Sequence, residues 1–326
     1  MKNPTTTIGV ISYNNAKFLP ETIDSILAQT VQDFEIIIAD DGSQDNSMSI
    51  AESYASKNEN IRIVTHENHV NKGVSATCNL AVKQARGKFI ALIGSDDAYF
   101  PHYIEKTVTF LQKHPKIGFV YGEIQRINEK NEILPNTPLC DVSIADDPIQ
   151  VVLDINGISA ATVMVKRECY EKVGLYEERI VYSDWEMWLK ILNFYQIGFI
   201  PDLLAKYRLH QKNLSMGIDP SIHHQHIREF YTALQEKTKV CNNVLSEEKY
   251  QKFITERLAC LPEKEAMAHL NIYFSAIAEK RFSVASIALK KALNASPRTI
   301  FNPRRIAAIS KQAVFSFASL LTSKTT

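Results

Sequence analysis

The 326 residues carry 37 Lys and Arg against 36 Asp and Glu, a formal net charge of +1, with 45% hydrophobic and 22% charged residues. That balance is ordinary for a globular chain and excludes a disordered one, and without a polybasic block it argues against nucleic acid as a partner. Five scattered cysteines (Cys78, Cys140, Cys169, Cys241 and Cys260), with no CxxC pair, give neither a disulfide framework nor a zinc site and suit a reducing cytoplasm.

Met1 to Thr7 has no apolar run, so no signal peptide is expected. Thr7 to Ile11 reads as a buried strand, followed by a helix with Leu19, Ile23, Ile26 and Leu27 on one face. Phe34 to Ala39 is a second strand, too short and too β-branched for a helix, and ends in the turn formers Asp40-Asp41-Gly42-Ser43. A polar helix through Ala51 and Tyr54 leads to a third strand, Ile61 to Val64. Gly73 to Ala85 reads as helix, Phe89 to Ile93 as the fourth strand. Pro101 suits the first turn of a helix ending near His114-Pro115, and Gly118 to Tyr121 is a further short strand. This alternation predicts βαβ units and a mostly parallel sheet, an α/β fold whose ligands bind outside the carboxyl ends of the strands.

From Ile124 to Pro148 the pattern loosens into an excursion over the active face. Alternation resumes weakly with Ala160 to Val165, a helix beginning near Ser183, and strands near Ile197 and Leu204. Beyond Gly217 the chain reads as helical, which divides it into a domain over 1–217, with halves of about 1–122 and 123–217, and a helical region over 218–326. Phe274 to Pro297 has the spacing of half a tetratricopeptide-type hairpin in Ala285, Leu289, Ala292 and Pro297; one copy makes an appendage, not a repeat domain.

Two acidic pairs fall at strand ends, Asp40-Asp41 and Asp96-Asp97. Across a ligand crevice such carboxylates repel unless a divalent cation or donors intervene, and a diphosphate would complete the shell of that cation. A single pair would read as solvated turn residues, the reading kept for Asp33 and Asp45, but two pairs at matched strand ends point to a ligand. Neither GxxxxGK[ST] nor a GxGxxG after the first strand is present, so a nucleotide would be held by metal and side chains. Asp184, at a helix start where the dipole would keep it ionised, reads as a general base or as a plain N-cap, with Trp185, Trp188 and Leu189 anchoring the helix.

Taken together and in order, several blocks make the chain resemble family 2 glycosyltransferases, which have the GT-A fold. They are Ile11-Ser12-Tyr13-Asn14-Asn15, Ser25-Ile26-Leu27-Ala28-Gln29-Thr30, Asp40-Asp41-Gly42-Ser43-Gln44-Asp45, Asn71-Lys72-Gly73-Val74-Ser75 with Asn79, Gly87-Lys88-Phe89-Ile90 and Ser95-Asp96-Asp97. The likeness closes with Ser183-Asp184-Trp185-Glu186-Met187-Trp188-Leu189-Lys190 and Tyr207-Arg208-Leu209-His210 through Ser215.

The resemblance implies an inverting transferase that moves a hexosyl or N-acetylhexosaminyl group from a nucleoside diphosphate donor, preferably UDP-linked. The acceptor would be the hydroxyl of a saccharide or a lipid-linked molecule, in cell-surface polysaccharide or glycoconjugate assembly. Position by position, it implies a nucleoside pocket of Ser12, Tyr13 and Asn14, with Asp40 on the base and Asp41 and Ser95 in the same nucleotide-sugar site. Asn71, Gly73 and Asn79 would close over the nucleotide, and Asp97 would face the donor sugar or acceptor. Asp96 would bind Mg²⁺ or Mn²⁺, His210 would approach the metal or support the site, and Asp184 would be the base. A nucleoside diphosphate stabilised by the metal leaves without a proton, so no catalytic acid is needed. The chain departs from the family pattern where Gly94-Ser95-Asp96-Asp97 lacks the first carboxylate of Asp-x-Asp-Asp. The competing readings are a nucleotide-sugar binding protein that has lost catalysis, which Asp184 argues against, and a nucleotidyltransferase, which Ser12-Tyr13-Asn14-Asn15 does not suit.

Outside these blocks, His223, His224 and His226 lack i,i+4 metal spacing and read as decoration of an exposed helix, and Tyr99 and Phe100 as sugar-stacking or core residues. The tail carries Arg298, Arg304, Arg305, Lys311 and Lys324 among apolar residues, and over 304–321 it suits contact with an anionic membrane face, a helix docked on the body, or a dimer contact. A cytoplasmic protein, peripheral on the membrane in the first case, is the expectation.

Overall fold

The computed structural model describes residues 3–210, 213, 219–240, 244–278 and 281–296. The chain divides into two compact units, Met1–Met216 and Gly217–Thr326.

The first unit runs β1 (Thr6–Ser12), α1 (Leu19–Leu27), β2 (Phe34–Asp40), α2 (Ser47–Ala55), β3 (Ile61–Thr65), α3 (Val74–Gln84), β4 (Phe89–Gly94) and β5 (Ala98–Tyr99). It continues with α4 (Tyr103–Lys113), β6 (Ile117–Asn128), α5 (Pro148–Asp154), β7 (Met164–Lys166), α6 (Arg167–Val173), α7 (Ser183–Leu192) and β8 (Gln196–Leu209). The eight strands form one sheet in the order β3-β2-β1-β4-β7-β6-β8-β5. β1 lies parallel to β2 and β4, β2 to β3, and β6 to β8, while β7 runs antiparallel to both its neighbours and β5 to β8.

β1 and β2 read as unbroken apolar runs because both faces of the sheet are covered there, so alternation has no solvent side to mark. Ile8, Val10, Ile36, Ile38 and Ile93 form one buried core with Leu19, Ile23 and Ile26 of α1 and Tyr103, Ile104 and Leu111 of α4. Each such aliphatic side chain contributes about 1.5–3 kcal/mol on burial. Tyr99 is buried and stacks on Tyr103 with centroids 3.7 Å apart, which makes it a core residue.

Several boundaries differ from the sequence reading. The short strand expected at 118–121 is the start of the long β6, and the segments near Ile197 and Leu204 are one strand, β8. Pairing passes from Gly122↔Ile200 to Glu123↔Leu203, so Pro201 and Asp202 bulge out of the ladder. A proline has no N–H to donate to that ladder, and the bulge broke the apolar pattern in two. Ala160–Thr162 is a 3-10 turn preceding β7, and α4 begins at Tyr103, placing Pro101 ahead of the helix. The excursion after β6 holds a 3-10 turn at Val142–Ile144 and α5.

The second unit contains α8 (Pro220–Val240), α9 (Glu248–Ala278) and α10 (Phe282–Ala295). α9 and α10 pack on each other through Leu270 and Ala292, flanked by Met267 and Leu289, with Ala285 also buried; Pro297 lies outside the described residues. His224 is buried and meets His223 edge-on, so the histidines do not decorate an exposed face. Among the described residues no helix is long and apolar enough to cross a membrane. The basic tail over 304–321 lies outside them.

Candidate active site

The order β2-β1-β4 brings three carboxyl-terminal strand ends together: Ser12 is in register with Asp40, and Ile11 with Gly94. The loops leaving them are cross-tied. Asn14, at φ 51°, donates its backbone N–H to Ser43 Oγ at 2.9 Å and accepts from Gln44 N at 2.7 Å. Asn15 donates from its backbone to Ser47 Oγ (3.1 Å) and from its side chain to buried Ser95 Oγ (3.0 Å). Asp45 accepts from the backbone N–H groups of Ala16 and Ser47, the turn role read for it. Tyr13 is 47% exposed, whereas Ser12 is 1% exposed and its Oγ has no partner among the described residues.

Asp40 is buried, with Oδ1 accepting from Gly42 N and Ser43 N and Oδ2 from Ser43 Oγ. This tight turn needs Gly42 at φ +78°, because a Cβ there would lie 2.5 Å from the His69 carbonyl oxygen. Asp41 is also buried and accepts from Lys72 N (2.7 Å) and Gly73 N (3.0 Å), with His66 Nε2 at 3.5 Å. It therefore fixes the Asn71–Gly73 loop, in which Asn71 is exposed. Asn79 is buried in α3, and its amide bonds Tyr176 N, Tyr176 O and Glu178 Oε1. The Asn79 amide thus ties α3 to the segment before α7.

After β4, Asp96 and Asp97 part company. Asp96 Oδ2 lies 2.9 Å from His210 Nε2 and 3.5 Å from Asn213 Nδ2. Asp97 turns inward, accepting from Arg208 N at 2.9 Å; burial, reinforced by the Asp96 charge, pushes its carboxyl well above the usual range. Expected to face donor or acceptor, Asp97 instead lies in the interior because the β8 backbone offers it a donor. In both acidic pairs, then, one carboxylate is held by backbone N–H groups of a distant loop or strand, which are donors of the kind expected to relieve the repulsion.

Arg208 organises this end of the sheet. It is 1% exposed, and its guanidinium donates to Asp96 O (2.8 Å), Asn128 O (3.1 Å), Asn131 Oδ1 (2.5 Å) and Glu21 Oε2 (2.6 Å), lying 4.7 Å from the Phe18 ring. Phe18 also packs against the His210 ring. Sequence reading placed Arg208 in a motif without its role, since Glu21 lies 187 residues away and no local pattern marks the pair.

Asp184 sits in the first turn of α7, whose Trp185, Trp188 and Leu189 are buried. Its Oδ1 accepts from Trp185 N (2.7 Å) and its Oδ2 from Asn156 Nδ2 (3.3 Å). The helix dipole was expected to keep it ionised, but burial dominates and its carboxyl is raised above the ordinary value. Ser183 meets Ser75 of α3 at 2.7 Å, joining the two helices.

Among the described residues no group of three His, Cys, Asp or Glu could hold a metal alone. The Asp96–His210 pair nevertheless fits Mg²⁺ or Mn²⁺ in a site where a diphosphate and water supply the remaining ligands. A Cβ on Gly94 would lie 2.6 Å from Asp96 Oδ1, so in this arrangement glycine leaves room for the Asp96 carboxylate where the family pattern has an additional acid.

Residues 7–173 match the sequence model of "Glycosyl transferase family 2". An uncharacterized glycosyltransferase of Rickettsia prowazekii is 29% identical over 64% of this chain and 65% of its own length. One from Methanocaldococcus jannaschii is 28% identical over 75% of this chain and 84% of its own. The chain covers 36% of another relative, from Rickettsia felis, at 31% identity. Staphylococcus aureus TarS 1–349, solved with UDP-GlcNAc, superposes with a TM-score of 0.61 at 16% identity, over 97% of this chain and 92% of that one. The mannosyltransferase PcManGT from Pyrobaculum calidifontis, solved with GDP-Man and Mn²⁺, gives 0.60 at 14% identity, over 97% and 81%.

Proposed function

The chain belongs to glycosyl transferase family 2 and has the GT-A fold, and from that premise we propose that it transfers a sugar, with inversion, from a UDP-linked donor to an acceptor hydroxyl. The observation that carries this reading is Asp184, a carboxylate on a rigid helix in the unit that holds the Asp96–His210 pair, with burial raising its affinity for a proton. A raised pKa suits a general base, because it brings the base nearer the operating pH.

In this reading Ser12, Tyr13, Asn14 and Asp40 hold the nucleoside, with Ser95 and the Asn71–Gly73 loop beside it. Asp184 removes the acceptor proton, and the oxygen attacks the anomeric carbon from the side opposite the diphosphate. A divalent ion held by Asp96 and His210 would neutralise charge on the leaving diphosphate, so no acid residue is required. The lost-catalysis reading draws its support from Gly94, and the space that glycine leaves for Asp96 gives it a positioning role instead. We place the activity in cell-surface glycoconjugate assembly, on a saccharide or lipid-linked acceptor, with the basic tail over 304–321 as its contact with the cytoplasmic membrane face.

Turnover of a panel of UDP-, GDP- and dTDP-sugars, beginning with UDP-GlcNAc and GDP-Man, tests the proposal. Release of UDP that requires Mn²⁺ and is lost in Asp184→Asn is expected. Release undiminished by that substitution would exclude Asp184 as the base.

A further inference from the structure

Asn156 lies between α5 and β7, and its side chain reaches Asp184. A carboxylate can only accept, so the amide must turn its Nδ2 toward Asp184 Oδ2, 3.3 Å away, and its Oδ1 the other way. That Oδ1 is buried and has no hydrogen-bond partner among the described residues. A buried carbonyl without a donor is costly, and in the interior of a fold it is ordinarily satisfied or replaced by an apolar group. Here it belongs to the side chain that holds the carboxylate assigned as base, where an acceptor hydroxyl must come.

We propose that Asn156 is an acceptor-binding residue: its Nδ2 fixes the Asp184 carboxylate, and its Oδ1 accepts a hydrogen bond from a second hydroxyl of the acceptor, next to the one that Asp184 deprotonates. The inference rests on Asp184 being the base and deepens that reading. It makes the preferred acceptor a vicinal diol of the kind a sugar ring or a glycerol unit presents. The segment belongs to neither the apolar runs nor the acidic pairs, which is why sequence periodicity passes over it.

Three titratable groups feel the Asp184 charge: Cys78 on α3, whose thiol burial pushes up to about 12, and Tyr176 and Tyr182, whose hydroxyls are also raised. All three are neutral between pH 4 and 8, a range set by those directions, while Glu186 two residues along α7 and Asp154 on α5 are present alike in every variant compared.

Two measurements on the full chain decide the proposal. Carboxyl ¹³C NMR, with the Asp184 signal assigned by its loss in Asp184→Asn, follows the titration in wild type, Asn156→Ala and Asn156→Asp. Loss of the Nδ2 donor should move the Asp184 midpoint upward in Asn156→Ala, and further in Asn156→Asp where a second carboxylate is added. An unmoved midpoint would overturn the contact. Sugar transfer to glycerol against ethanol, with whichever donor of the panel is turned over, then reads the Oδ1. Wild type should favour glycerol, and Asn156→Ala should lower that preference about tenfold, the equivalent of one hydrogen bond at the upper end of its usual worth. An unchanged ratio would remove the acceptor contact while leaving Asp184 as base, and activity that survives Asp184→Asn would remove the base and this inference with it.

Discussion

Arg208→Ala should loosen the whole carboxyl-terminal edge of the sheet. The guanidinium is 1% exposed, and four acceptors lose its N–H groups at once: Glu21 Oε2, which keeps a bond from Asn131 Nδ2, Asp96 O, Asn128 O and Asn131 Oδ1. Breaking a buried ion pair costs about 3–5 kcal/mol. The Glu21 side chain is 34% exposed and can rehydrate, which places the cost near the lower bound, about 3 kcal/mol. For a unit of this size each kcal/mol moves the melting midpoint about 2–4 °C, so a fall of about 6–12 °C is expected. The two tryptophans, Trp185 and Trp188, both lie in the first unit, so tryptophan fluorescence during heating follows that unit alone. Arg208→Lys keeps a charge but not the planar fork and should fall between the two. A midpoint for Arg208→Ala within about 2 °C of wild type would show that the acceptors find other donors and that Arg208 is not the organiser described.

Gly94→Ala should leave the melting midpoint nearly unchanged, because only the end of the Asp96 side chain has to move, yet weaken Mn²⁺-dependent UDP binding measured by calorimetry. Asp41→Ala removes the acceptor of Lys72 N and Gly73 N, so those amides should exchange hydrogen faster and the loop should be cut sooner by protease. Asp184→Asn should abolish turnover and raise stability at neutral pH. A folded carboxyl pKa raised above its unfolded value, about 3.9, means stability falls as pH rises between the two values. The mutant's thermal advantage should therefore vanish below about pH 4 and grow as pH rises above it. By the same shift, wild-type kcat/KM should lose activity on acidification through a value above the ordinary aspartate range.

The parallel half of the sheet was legible because β1 and β2 are apolar throughout and the acidic pairs punctuate their ends. The second half was less so. Pro201 split β8 in the pattern, and β7 holds only Met164–Lys166, too few residues to show alternation. The site divides in the same way. Asp96, His210 and Asp184 were recognisable from motif blocks, but the inward turn of Asp97 depends on a backbone donor at Arg208, which only the register of β8 supplies. Asn79 was read as a nucleotide contact from its place in a block, and its buried amide joins α3 to Tyr176 and Glu178. Burial, which no single residue announces, reversed the expected direction for Asp184.

Calorimetric titration of UDP into the chain, with and without Mn²⁺ and repeated on Asp96→Ala, tests the central claim most directly. With one carboxylate and one imidazole available, the ion should bind weakly alone and together with UDP strongly, and Asp96→Ala should remove the Mn²⁺-dependent part. UDP binding of the same strength with and without Mn²⁺, unchanged in Asp96→Ala, would contradict it.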